Sequence, residues 1–270
     1  MDSYSNLNRD DIRTLLEEKA AGYNKPEFII TDPIQVPKQF SQKENIEISA
    51  FITSTISWGN RTAIIKNAIR LMNIMDNDPY QFIINASDSD YRLLKSFVHR
   101  TFNGDDCIYF ARSLKNIYAN YGGLESVFEK GFENNGNIKD TLIHFYSIFF
   151  EIPGERTRKH VSNVNKGASG KRLNMFLRWM VRKDSNNVDF GLWNNIPSSA
   201  LMLPLDVHTG NISRGLGLLK RKQNDWQAVE EVTNVLRLFD PDDPVRYDFA
   251  LFGMGAFEKF QDGKKQLFSV

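Results

Sequence analysis

The amino-acid sequence predicts an all-α protein, and three observations carry that expectation. Apolar residues recur at helical spacing along most of the chain, strand-like alternation is scarce, and Gly, Asn and Pro stand where the periodic runs stop. Residues 27–37, "EFIITDPIQVP", come nearest to a strand, but two prolines in so short a run predict an extended connector. Ile48, Phe51, Ile52, Thr55 and Ile56 fall at i, i+3, i+4, i+7 and i+8, predicting a helix that stops at Gly59-Asn60. Ile64, Ile65, Ala68, Ile69 and Met72 mark the next helix. Cys107, Phe110, Ala111, Leu114, Ile117, Tyr118 and Tyr121 form another stripe, closed by Gly122-Gly123. On that stripe Cys107 reads as a small buried hydrophobe rather than a nucleophile. The segment "GFENNGN", 131–137, reads as a polar loop. Leu173, Phe176, Leu177, Met180 and Val181 make a further core stripe, and Val207 through Arg214 reads as a helix ending at Gly215. Val229, Val232, Leu236 and Phe239 follow a cap at Asp225, and Asp243-Pro244 opens a last helix reaching Gly253.

Composition narrows the function classes. The 20 Phe, 9 Tyr and 4 Trp suffice to fill a sizeable core in 270 residues. A single cysteine excludes an intrachain disulfide framework, a four-cysteine zinc site and a four-cysteine iron–sulfur cluster. His99, His144, His160 and His208 form no HExxH-like spacing, so neither a metal nor another cofactor is expected. The opening residues lack the basic-then-apolar pattern of a signal peptide, and no apolar run approaches the roughly 20 residues of a membrane span. A cytoplasmic location is therefore expected.

The net charge of +1 is unevenly spread. Residues 151–222 carry 13 Lys/Arg against 5 Asp/Glu, while the remainder carries 21 against 28. A basic segment in a slightly acidic body suits a local anionic partner, or simply a solvated charged face.

Within that segment lies "VNKGASGKRLNMFLRWMVRKD", 164–184. At 100° per residue, Lys171, Arg178 and Arg182 lie roughly opposite the core stripe, predicting one basic face. Gly167 and Gly170 allow a tight hairpin whose amides are free to meet a phosphate, and an upstream helix would complete a helix–hairpin–helix. Lys171 opens the second helix, where the positive dipole end and neighbouring Arg172 favour a neutral, nucleophilic amine over one more cation; an ordinary surface lysine is the other reading. Further on, "LPLDVHTG" puts Asp206 directly before a helix. The carboxylate is either a plain N-cap or an anion aimed at a developing positive charge. His208, two residues on, faces elsewhere around the helix.

A Gly-rich hairpin, a lysine opening its second helix and "PLDVH" opening a later one together resemble the helix–hairpin–helix DNA glycosylase superfamily, closest to its 8-oxoguanine glycosylase branch. The resemblance rests on "GASGK", with Gly167 and Lys171 at the matching interval, and on Asp206 in "PLDVH"; it covers mainly residues 155–255. Ser169 stands where the superfamily's hairpin has its second glycine. With "ISWGNRTAIIK", "FVHRTF", "KRLNMFLRWMVR" and "DPVRYDFALFG", the whole chain also resembles a bacterial family of this length to which no activity is attached.

The resemblance implies one two-lobed all-α unit over residues 1–270 that acts on double-stranded DNA carrying a damaged base or an abasic site. It assigns Lys171 as the Schiff-base nucleophile and Asp206 as the anion beside the sugar. Gly167, Ser169, Gly170, Arg172, Arg178, Arg182 and His208 would hold DNA. Trp58, Asp248 and Phe252 would line the base pocket, although each fits a core or capping role equally well. Thirty-five positions separate Lys171 from Asp206, so "DSNNVDFGLWNNIPSSALM", 184–202, is an insertion, expected to be a brace rather than a lid. The expected activity is base-excision glycosylase with abasic-site lyase; the alternatives are a non-catalytic helix–hairpin–helix DNA-binding protein and an unrelated helical nuclease.

Overall fold

The computed structural model describes residues 7–258 and is all-α. Helices α1 (Arg9–Tyr23), α2 (Pro26–Thr31), α3 (Lys43–Thr55), α4 (Arg61–Ile74), α5 (Pro79–Asn85) and α6 (Asp88–Leu94) lead into a small antiparallel hairpin. Its strands β1 (Val98–His99) and β2 (Phe102–Asn103) pair Val98 with Asn103 and His99 with Phe102. Helices α7 (Gly104–Asn120), α8 (Leu124–Asn135) and α9 (Ile138–Phe149) follow, then α10 (Lys171–Val181), α11 (Val207–Gly215), α12 (Trp226–Arg237) and α13 (Asp248–Ala256). Among the described residues, no helix is long and apolar enough to cross a membrane.

The core is organised on α3, buried continuously from Asn45 to Thr55. Phe51 sits at its centre, with ring centroids of Phe110, Phe145, Phe149 and Phe176 between 5.4 and 5.9 Å away. These edge-on and offset contacts tie α3 to α7, α9 and α10. Helix α10 packs directly on α3, α8 on α9, and α13 takes both α1 and α11 against it. One contiguous cluster of buried apolar side chains runs from Leu16 to Met254.

Several local expectations need correction. Residues 27–37 are not extended: α2 is followed by 3-10 turns at Pro33–Gln35 and Pro37–Gln39. Pro26, Pro33 and Pro37 each open a helical turn, where proline's missing N–H costs nothing. The polar stretch 131–137 largely continues α8, which ends at left-handed Gly136. Gly131 lets α9 approach closely, since a Cβ there would stand 3.0 Å from the His144 side chain and 3.2 Å from the Thr141 Cα. Helix α3 stops at Thr55, leaving Ser57, Trp58 and Gly59 in a turn. At the far end, Pro244–Tyr247 is a 3-10 turn and α13 begins only at Asp248. Asp243 caps neither, because its carboxylate accepts from Arg182 Nε at 2.8 Å.

The Gly-rich hairpin is preceded by a 3-10 turn, Val164–Lys166, rather than by an α-helix, and α9 ends well upstream at Phe149. Asn163 caps that turn, and Gly167 (φ +85°) and Gly170 (φ +65°) adopt left-handed backbone that favours glycine. The hairpin is pinned to the start of α12, with Trp226 N–H donating to Gly167 O at 3.0 Å and Ala168 bridging Asp225.

Residues 184–202 pack against the end of α10. Phe190 N–H donates to Trp179 O at 2.8 Å and Trp193 N–H to Met180 O at 2.9 Å, which satisfies carbonyls that the end of α10 leaves open. The Trp193 indole is fully buried between Phe128 and Phe176 and donates to Glu47 Oε1 at 2.8 Å.

Candidate functional site

Helices α10 and α11 direct their N-termini at the same space. A cavity of about 690 Å³ is bounded by these two ends, the turn after α3, the segment around Asp32, and one face of α13. Lys171 and Asp206, far apart in sequence, both line it. So do Trp58, Asp248 and Phe252, together with Ser169, Arg172, Arg178 and His208. The volume lies within the range of small-molecule sites.

Lys171 is the first residue of α10, and its amine makes no hydrogen bond or ion pair with any described residue. Asp206 is the N-cap of α11, in a reciprocal capping box with Thr209. Its Oδ1 accepts from Thr209 N–H at 3.0 Å and lies 3.2 Å from the Thr209 hydroxyl. No described residue donates to Oδ2, so one oxygen holds the helix and the other stays available to the cavity. Asn224 fixes the cap from behind, its side-chain amide donating to Asp206 O at 2.9 Å while its own oxygen takes Arg214 at 2.6 Å.

The basic face expected of α10 is not a surface. Arg178 and Arg182 are each 4% exposed. Arg178 donates to Asp248 and, at 3.2 Å, to Asp189 Oδ1. Arg182 reaches Asp189 Oδ2 at 3.0 Å, Asp184 Oδ2 at 2.9 Å and Asp243 Oδ2 at 2.8 Å. Burial opposes both charges, but the surrounding carboxylates outweigh it and hold both guanidiniums firmly cationic. Both arginines are committed to aspartates and fasten α10 to residues 184–189 and to the segment from Asp243 to Asp248. The neutralising aspartates come from "KDSNNVD" and "DPDDPVRYD", segments that helical periodicity does not connect with α10.

The hairpin divides its roles. Gly167 N–H is already spent on Val164 O at 3.0 Å, so Gly167 shapes the turn rather than meeting a ligand. The Ser169 and Gly170 amides bond no described group, and Ser169 lines the cavity. His208 is exposed at the rim, edge-on to Phe252 with centroids 6.2 Å apart. Arg172 turns inward: it donates to Thr55 O, and its guanidinium carbon lies 4.9 Å from the Trp58 ring centroid. Burial lowers its pKa to about 10.

Asp248 is pushed up to about 6 by burial, with Asp206 adding to the rise while Arg178 and Lys171 oppose it. Sequence reasoning missed Asp32, Arg61, Phe28 and Met175, all on the cavity wall. Asp32 caps the 3-10 turn at Pro33, accepts from Ile34 N–H at 3.0 Å, and is raised by burial. The Arg61 guanidinium lies 4.9 Å from the Phe252 centroid. Met175, four positions after Lys171 on α10, shares its side of the helix and was the one signal within reach. No cluster of three or more His, Cys, Asp or Glu suited to a metal occurs among the described residues.

Fold and cavity define an all-α protein with one unpaired amine and one half-engaged carboxylate presented by helix N-termini. The chain belongs to the DUF2400 family, described as a protein of unknown function, which matches residues 32–257. No curated protein and no solved structure matches it.

Proposed function

We propose that this protein is a DNA base-excision glycosylase with associated abasic-site lyase activity, working on an extruded nucleotide. One observation carries the reading: Lys171 and Asp206 open onto the same cavity, the amine unpaired and one carboxylate oxygen free. Breaking an N-glycosidic bond passes through an oxocarbenium-like sugar, which a fixed carboxylate stabilises. Asp206 supplies that anion, held rigidly by its capping box. The Lys171 amine attacks C1′, the base departs, and ring opening gives a Schiff base from which elimination cuts the strand.

An extruded base needs a pocket with apolar faces and a few polar groups. Phe28, Trp58 and Phe252 supply the faces, and Asp248 and Arg172 the polar edges. The free amides of Ser169 and Gly170, just before α10, suit a backbone phosphate. Such a protein would work at the nucleoid in the cytoplasm.

Borohydride reduction in the presence of an abasic duplex tests the reading. Wild-type protein should become covalently trapped, and Lys171→Gln should bind DNA without trapping. A wild-type protein that binds duplex DNA but is never trapped supports the non-catalytic DNA-binding reading instead. Strand cleavage abolished by chelator and restored by magnesium supports a nuclease.

A further inference from the structure

We propose that Arg172 is a catalytic residue of this cavity: its guanidinium receives the keto edge of the departing base and stabilises the negative charge that the base acquires. The proposal rests on the glycosylase reading above and extends it to the leaving group.

The motivating contrast lies within α10. Arg178 and Arg182 are each surrounded by aspartates, but Arg172 has no carboxylate within 4.0 Å among the described residues. Burial alone acts on it, with no counter-charge to offset the cost. A guanidinium carries five N–H donors, and here one nitrogen, Nη1, is engaged with Thr55 O. That bond and the Trp58 ring explain where the head is held. They leave Nε and Nη2 without a partner on the wall of a cavity that Lys171 and Asp206 also line. Trp58 is itself fixed from other sides, stacked on His160 at 5.8 Å and edge-on to His99 at 5.0 Å. The cation is therefore held in place on the cavity wall before the base arrives, so it needs no reorganisation at the moment of reaction.

The chemistry requires such a group. When the C1′–N bond breaks, its electron pair leaves with the base, and charge spreads onto a keto oxygen conjugated to the glycosidic nitrogen. Lys171 forms the new C1′–N bond and sheds one proton, and the base takes up one proton. Until it does, Arg172 faces the anion while Asp206 faces the cationic sugar. The substrate class is a nucleotide whose base carries a keto group conjugated to its glycosidic nitrogen.

Single-turnover rates on two kinds of duplex test this. One kind carries 8-oxoguanine, uracil or hypoxanthine; the other carries a preformed abasic site, from which no base departs. Arg172→Gln should slow base release about 100-fold more than it slows cleavage at the abasic site. Arg172→Lys retains a cation able to reach Thr55 O and should recover part of that ratio; it decides the matter if the Gln variant does not fold. Equal slowing of both reactions overturns the proposal, because Arg172 then only holds the fold or the DNA. Unaltered rates on both duplexes also overturn it, as does a wild-type protein that cleaves abasic sites but releases none of these bases. Failure of the wild type to be trapped even on the abasic duplex is a separate result, which defeats the glycosylase reading itself.

Discussion

Asp206 both caps α11 and lines the cavity. Its Oδ1 is committed to Thr209, and its Oδ2 is left to the cavity. Asparagine also caps helices well, so Asp206→Asn separates the two roles. The variant should lose less than about 1 kcal/mol of stability. Its rate of base release should nonetheless fall by about 10²–10³, the cost of removing one preorganised electrostatic contact. Urea denaturation and single-turnover kinetics on the same preparation check both halves; a variant with wild-type rates would leave Asp206 as a cap only. Both the aspartate and its cap were legible in "LPLDVHTG", because capping depends on neighbours three positions apart. That the other oxygen stays free was not, since it depends on which donors distant segments place around the carboxylate.

At the level of elements, α10 is the junction of the molecule. One side packs into the aromatic core through Phe176, its start lines the cavity, and its end is closed by the insertion. Replacing Arg182 with Glu puts a carboxylate among Asp184, Asp189 and Asp243, which should cost about 3–5 kcal/mol. The loss should appear as thermal destabilisation whether or not DNA is present; a stable Arg182→Glu protein that has merely lost DNA affinity would restore the basic-face reading. Trp193→Ala should cost a similar ~3–5 kcal/mol, because it empties a site between Phe128 and Phe176 and leaves Glu47 without its indole donor. A melting temperature close to wild type would mean that the insertion does not brace α10. The stripe of α10 was readable from its period, whereas its basic face was misread: a helical projection shows which side a residue occupies, not what another segment lays over it.

For the whole molecule, charge sets two expectations. His160 is 3% exposed, and burial lowers its pKa to about 4; the pull of Asp106, whose Oδ2 lies 3.2 Å from Nε2, does not compensate. A folded-state value below the usual 6.5 means that the unfolded chain binds the proton more readily. The resulting stability is present above pH 6.5 and is lost as pH falls towards 4, up to about 3 kcal/mol. Asp248, raised to about 6, works in the opposite direction over much of that window, so the difference between variant and wild type is the useful quantity. The stability of His160→Gln should fall less steeply than that of wild type between pH 6.5 and 4.5. Parallel curves would show that His160 does not titrate differently on folding. The second expectation concerns DNA affinity, which should fall with salt through the exposed cations alone. Lys166→Ala should reduce the log–log slope by about 1, because one fewer phosphate is neutralised. An unchanged slope would remove the hairpin from the interface.

The sequence by itself determined the all-α class, the helix starts at Lys171, Val207 and Trp226, and with them the placing of Lys171 and Asp206 at helix N-termini. Each of these depends on periodicity, capping or dipole effects that act within a few positions along the chain. Only the tertiary structure decided which charges are free. It buried Arg178 and Arg182 among aspartates from distant segments, left Arg172 without one, and turned residues 27–37 into short helical turns that bring Phe28 and Asp32 to the cavity. The physical reason is range: a cap is settled by local hydrogen bonds, but whether a buried charge is paired depends on segments tens of residues away that fold over it.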